Sequence, residues 1–177
     1  MQSFVNSCNL ESGGEELTGP TALSRWLARW ELVPVGTQLA ESDLREAVLI
    51  REGLRALLAA NNGAPLDELA VEQLDHRVAS TRLRARFAPA GPARLEPDGL
   101  GWQRALGRLL QVVVEAEVEG LWTRLKACQN DRCRWAFFDR SKNRSGKWCT
   151  MRRCGNRRNA RAYRRRRGER DRPPRGA

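Results

Sequence analysis

The sequence predicts a mainly α-helical N-terminal domain carrying a small β-hairpin, followed by a C-terminal finger of treble-clef-like build held by four cysteines. Three observations predict it. Apolar residues recur with helical spacing along most of residues 20–126. One segment, Arg82-Leu83-Arg84-Ala85-Arg86-Phe87, alternates instead, as a half-buried strand does. Last, Cys128, Cys133, Cys149 and Cys154 form the symmetrical pattern C-x4-C-x15-C-x4-C in the most basic part of the chain.

Each element follows in order. Residues 1–19 open with an apolar Phe4-Val5 and become loop-like through Ser12-Gly13-Gly14. A first long helix is expected after Pro20, with Thr21 near its cap and Leu23, Trp26, Leu27 and Trp30 on one stripe. A second takes Ser42 as its cap and Asp43 in its first turn, and stops at Asn61-Asn62-Gly63. A third follows Pro65, with Leu66, Leu69, Leu74 and Val78 inward and the lone His76 at its surface. Arg94-Leu95-Glu96 is expected to return beside the Arg82–Phe87 strand, and Pro97-Asp98-Gly99 to break the chain again. A long helix is then expected from Gly101 to about Lys126, with Trp102, Leu106, Leu109, Val113 and Ala116 on one face, running straight into Cys128. No internal repeat occurs.

Charge divides the chain. Residues 1–120 hold 12 Arg, no Lys and 17 acidic residues, a net of −5, whereas residues 121–177 hold 17 Arg, 3 Lys and 4 acidic residues, a net of +16. Such asymmetry points the C-terminal part at polyanions. The division expected is a helical regulatory domain over 1–122, a finger over 123–168, and a basic, disordered tail over 169–177. The N-terminus lacks the pattern of a secretory signal, and no apolar run approaches a bilayer span, so a reducing cytoplasm and no membrane partner are expected. There, clustered cysteines are metal ligands more often than disulfides.

Two short-spaced cysteine pairs separated by a hairpin-length segment suit tetrahedral Zn²⁺. Two disulfides or four buried thiols would satisfy the same spacing. Cys8 has no short-spaced partner and reads as a small buried residue. Trp135, Phe137, Phe138 and Trp148 lie close to the cysteines and should shield the metal, with base stacking as the alternative for Trp148. Ser141 to Gly146 is expected to be a hairpin tip, placing Lys142, Arg144 and Lys147 for phosphate contacts. Ser145-Gly146-Lys147 lacks the glycine framework of a phosphate loop.

After Cys154 a helix is expected to about Arg167. Arg157, Arg161 and Arg164 fall on one stripe of it, Arg158 and Arg165 beside them, and Ala160 and Tyr163 opposite, resting on the metal core. No acidic residue occurs between Asp139 and Glu169, so nothing within this stretch, Arg152 and Arg153 included, neutralises the arc. Crowded like charges favour an anionic partner over mere solvation.

The stretch from Cys128 to Arg165, with CRWAFFDRSKNRSGKWC and MRRCGNRRNARAYRRR, resembles the CGNR zinc finger, named for the motif standing here as Cys154-Gly155-Asn156-Arg157. The preceding part is similar to the ABATE domain, through Phe4-Val5-Asn6-Ser7 and the order of helices. Together the two resemblances cover nearly the whole chain. They imply a stress-induced, zinc-dependent, DNA-binding bacterial transcription regulator, nucleoid-associated when bound, with Cys128, Cys133, Cys149 and Cys154 as ligands. No binding residue carries over to the first domain, which would sense or oligomerise; a homodimer and a small-molecule effector both stay open. An RNA- or ribosome-associated zinc protein and a zinc-stabilised protein-interaction module are the alternatives. An enzyme is not expected: a four-cysteine zinc site leaves no position for a reacting water, and Glu115/Glu119 read as a solvated helix face.

Overall fold

The computed structural model describes residues 1–87, 91, 93–158 and 160. Its elements are α1 (Gln2–Val5), β1 (Cys8–Asn9), β2 (Gly14–Glu15), α2 (Pro20–Arg29), α3 (Glu41–Ala60), α4 (Glu68–Val78), β3 (Arg82–Arg86), β4 (Arg94–Asp98), α5 (Gly101–Val118), β5 (Leu125–Ala127) and β6 (Ala136–Phe138). A 3₁₀ turn, Trp122–Arg124, precedes β5, and a π-helical turn, Met151–Gly155, contains the last cysteine. The strands form three separate antiparallel pairs, β1 with β2, β3 with β4, and β5 with β6. No described helix is long and apolar enough to cross a membrane.

The expected stripes form the core. Leu23 and Leu27 of α2, Ile50, Leu54 and Leu58 of α3, and Leu106 and Leu109 of α5 are buried around Phe4 and Val5. The Arg82 strand pairs as predicted, with Leu83 opposite Pro97 and Arg84 opposite Glu96, so Pro97 and Asp98 extend the ladder instead of breaking it. Pro97 is tolerated because this two-stranded ribbon leaves one side of β4 without a ladder to donate to.

Several boundaries differ from expectation. α5 ends at Val118 rather than near Lys126, because Gly120 takes the left-handed conformation (φ 65°) and turns the chain into the 3₁₀ turn and β5. The finger is therefore not an extension of α5. α3 begins at Glu41, one residue before the predicted cap, because the Asp43 carboxylate accepts the Ala40 N–H (2.8 Å). Leu66 and Leu69 are exposed: Leu66 precedes α4, which starts at Glu68 capped by Asp67, and Leu69 lies about 140° around the helix from Leu74, the residue buried against α3. Trp30 is half exposed at the end of α2, its ring 5.9 Å from that of the buried Trp26. Cys8 is half-buried in β1, a short ladder where the composition reads as loop.

The hairpin of the finger is also displaced. It is β5–β6, with Ala127 opposite Ala136, and it wraps the first cysteine pair. Ser141 to Gly146 is a loop without strands. Both Ala127 and Ala136 belong to the same core as Phe4 and Leu58.

Candidate metal centre

The hairpin β5–β6 forms a knuckle around Cys128 and Cys133. The Cys128 N–H bonds to the Trp135 carbonyl (2.9 Å), continuing the ladder, while Cys133 and Arg134 N–H groups both turn back to the Asn130 carbonyl (2.7 and 2.9 Å). The second pair sits around the π-helical turn. Its cap is the Thr150 hydroxyl, which accepts the Arg153 N–H (3.3 Å), and Gly155 N–H reaches back five residues to the Thr150 carbonyl (3.2 Å). That wider turn presses Gly155 against Met151 and Trp148. A Cβ at 155 would stand 3.2 Å from the Trp148 ring and 2.7 Å from the Met151 sulfur, so a larger residue there would require the exposed Met151 side chain to move.

These two turns bring the four sulfurs within 4.8 Å of one another. Cys133 and Cys149 sulfurs are 3.7 Å apart, as are those of Cys149 and Cys154. All five cysteines are free. A disulfide needs ~2.05 Å, whereas a tetrahedron with Zn–S bonds of about 2.3 Å has edges of about 3.8 Å. The spacing fits a tetrathiolate metal site and excludes the two-disulfide alternative in this arrangement.

The cysteines also perturb one another. Burial pushes the Cys133 thiol up to about 11, and burial together with the neighbouring cysteines raises Cys149 further. Cys154 goes the other way: burial opposes ionisation, but the Asn130 amide donating to its sulfur (3.5 Å) and the surrounding thiols lower it. A metal ion at this site would have to displace the thiol protons, so its binding would release protons. Trp135, Phe137 and Trp148 pack on the cluster as expected, whereas Phe138 is not among the residues packed against it.

A second polar centre fixes the loop between the pairs. Lys126 and Asp139, both almost fully buried, meet at 2.7 Å. Asp139 also accepts the N–H groups of Ser141 (2.9 Å) and Gly146 (2.8 Å), and the Lys126 ammonium caps the carbonyls of Arg144 and Gly146. Burial alone would raise the Asp139 carboxyl; Lys126 and these N–H groups outweigh it and hold the carboxyl well below the usual carboxylate range.

The finger is seated on the N-terminal helices by side chains that bond its backbone. Asn6 both donates to the Ala136 carbonyl (2.9 Å) and accepts the Ala136 N–H (2.7 Å), standing in for a strand beside β6. Asn62 donates to the carbonyls of Ala127 (2.8 Å) and Lys147 (2.9 Å), joining the two arms of the finger. Asn61 holds the Trp122 and Leu125 carbonyls, each at 3.0 Å. Arg55, 1% exposed, reaches the Arg134 carbonyl (3.1 Å) and that of Val5 (2.6 Å). Its neighbour Arg51 grips Glu15 through two 2.8 Å bonds, so this buried pair of arginines is neutralised by Glu15 and Glu52.

Comparison with known families gives two matches. The CGNR zinc finger matches residues 124–167. ABATE, described as "Putative stress-induced transcription regulator", matches residues 2–123, more than half of the chain. The chain belongs to the ABATE family. No curated protein matches it.

Of the basic residues singled out in this ABATE chain, Lys142, Arg144, Lys147, Arg152, Arg153, Arg157 and Arg158 are all exposed. The structure groups some of them. The Arg158 guanidinium lies 5.5 Å from the centre of the Trp148 ring, next to Lys147 in the chain. Arg153 and Arg157 converge on one carboxylate, Glu11 of the ABATE part. Arg144 bonds the Thr123 hydroxyl (3.0 Å). Residues 156–158 begin a helix as expected. Ala160 is exposed instead of facing the metal core. Arg161, Tyr163, Arg164, Arg165 and the tail at 169–177 lie outside the described residues.

Sequence reasoning missed Asn6, Arg55, Asn61, Asn62 and Asn130 as parts of the site. The signal for the helix-end pair was visible, since Asn61-Asn62 ends α3, but that position also suits a plain stop. A cavity of about 920 Å³ lies elsewhere, between the 31–39 loop and the start of α5, lined by Leu32, Leu39, Trp102, Arg104 and Arg108 among others.

Proposed function

We propose that this ABATE protein is a zinc-dependent, DNA-binding transcription regulator of the cytoplasm, in which one structural Zn²⁺ orders a cationic finger and the N-terminal domain senses or oligomerises. The observation that carries it is the direct succession of a tetrathiolate cluster and exposed Arg152, Arg153, Arg157 and Arg158, in a segment of net charge +16. Zinc would be held by Cys128, Cys133, Cys149 and Cys154 and would supply cross-linking, not chemistry, because four thiolates fill its coordination. No catalytic step is assigned to the chain.

In this reading the arginines after Cys154 contact phosphates, with Lys142, Arg144 and Lys147 of the loop supporting them, and one or two side chains read base edges. Trp148 is covered by Arg158, which favours a packing role for that ring over base stacking. About six phosphate contacts give a log–log salt slope near −5. The test is selection of genomic fragments with the intact protein and with Arg157→Ala/Arg161→Ala. Sequence enrichment is expected only with the intact protein. Affinity insensitive to salt, or structured RNA outcompeting duplex DNA at fixed salt, overturns the DNA assignment.

A further inference from the structure

Glu11 belongs to the ABATE part of the chain, yet its carboxylate lies against two arginines of the finger. The turn between β1 and β2 puts it there. Asn9 shapes that turn, its side-chain oxygen accepting the N–H groups of Glu11 (3.1 Å) and Ser12 (3.2 Å) while its carbonyl takes the Gly13 N–H (2.8 Å). From this turn one Glu11 oxygen meets Arg153 at 3.2 Å and the other bonds Arg157. Arg153 lies in the π-helical turn and Arg157 in the helix that follows it, and both reach this one carboxylate.

We infer that Glu11 is a fixed countercharge of the nucleic-acid surface, set by the N-terminal domain to weaken the hold of Arg153 and Arg157 on phosphate. The Glu11 side chain is only 17% exposed, whereas those of Arg153 and Arg157 remain 60% and 53% exposed. The carboxylate therefore sits beneath the guanidinium groups, and their outer edges stay open. A phosphate arriving there meets a cluster of net charge +1, where the arginines alone would present +2. Its approach also brings a second anion within a few ångströms of the carboxylate.

A merely structural role explains the contact less well. Ion pairs with arginines this exposed contribute little to stability. Glu11 and Arg153 also border a cavity of about 260 Å³, shared with Gln2, Asn9, Cys133 and Thr150. Its placement also gives the N-terminal domain a physical lever on the finger. Any shift of the β1–β2 turn that withdraws Glu11 frees one positive charge for phosphate.

The inference rests on the nucleic-acid reading above. The test compares wild-type full chain, zinc-loaded, with Glu11→Gln, using anisotropy of a labelled mixed-sequence DNA duplex between 50 and 200 mM NaCl, conditions at about the range where phosphate contacts dominate. Glu11→Gln is expected to bind roughly tenfold more tightly at the lowest salt and to steepen the log–log slope by about 1, one charge having been released. In an Arg153→Ala/Arg157→Ala background the same change should give no gain. Glu11→Ala, which removes the charge with a different shape, should reproduce the gain even if Glu11→Gln is poorly folded. Unchanged or weaker binding in both variants, with wild-type zinc content, overturns the inference and leaves the nucleic-acid reading standing. Silence of the wild type and the variants alike overturns that reading and the inference with it.

Discussion

Asn6→Ala should cost far more than a surface asparagine normally does. In the native chain its amide closes two hydrogen bonds with Ala136, at 2.9 and 2.7 Å, and Ala136 is fully buried in β6. Alanine at position 6 leaves both the N–H and the carbonyl of residue 136 without a partner and without room for bulk water. Each orphaned buried group costs about 1–3 kcal/mol, so the pair amounts to about 4 kcal/mol. In a chain of this length that corresponds to a fall in Tm of about 10 °C. The assay is urea denaturation of the zinc-loaded protein, followed by tryptophan fluorescence and far-ultraviolet circular dichroism together. Because residue 136 follows Cys133 by three positions, metal release during a chelator challenge should also quicken. Asn6→Asp keeps the acceptor for the Ala136 N–H but sets an oxygen against the Ala136 carbonyl, so it should not restore stability. A loss below about 1 kcal/mol for Asn6→Ala, with the metal bound, would refute the view that this side chain seats the finger.

Two further outcomes follow from the same geometry. Asp139→Asn breaks a buried ion pair in which both partners are almost wholly inaccessible, and it should destabilise the chain by about 3–5 kcal/mol in the same urea assay. Since the folded Asp139 carboxyl is held low, its contribution is complete above the unfolded value near pH 4 and is lost as pH falls through the folded value; the wild-type-to-variant gap should stay constant from about pH 5 to 8 and narrow below about pH 4, and a gap that widens on acidification would contradict the assignment. Removing metal with a strong chelator under reducing conditions should release one equivalent of zinc, measured by atomic absorption, and alter the emission of Trp135 and Trp148, which pack on the cluster; a C-terminal part that keeps its near-ultraviolet dichroism without metal would count against a structural role for the ion.

The elements that could be read from the sequence are those whose signal is local. Leu23, Leu27, Leu54, Leu58, Leu106 and Leu109 announce helix faces by spacing, and all are buried. The Arg82 strand announces itself by alternation, and the cysteines by pairing. The site's supports are different in kind. Asn6 and Ala136 lie 130 residues apart, and Asn62 and Lys147 lie 85 apart, so no window of sequence contains both partners. β5 and β6 have three residues each, too few to show a period, and the turn-forming Ser141–Gly146 drew the expected hairpin to the wrong place. The apolar spacing of α5 continues past Val118, so periodicity predicts a longer helix, while the φ of Gly120 that ends it leaves no trace in periodicity. Leu66 and Leu69 look like core by type alone, but Leu66 precedes α4, and Leu69 lies about 140° around the helix from the buried Leu74.

The distance in chain between Asn6 and its partner has a consequence for biosynthesis. At about 5–20 residues per second, a ribosome needs roughly 7–26 s to make the 130 residues that separate them. During that interval the nascent α1 segment has no β6 to pair with, and Phe4 and Val5 wait beside an unfinished neighbour. Completion of the native state is therefore deferred until residue 136 has left the exit tunnel and β6 can meet Asn6, so the two ends of the chain close over one another only after nearly all of it has been made.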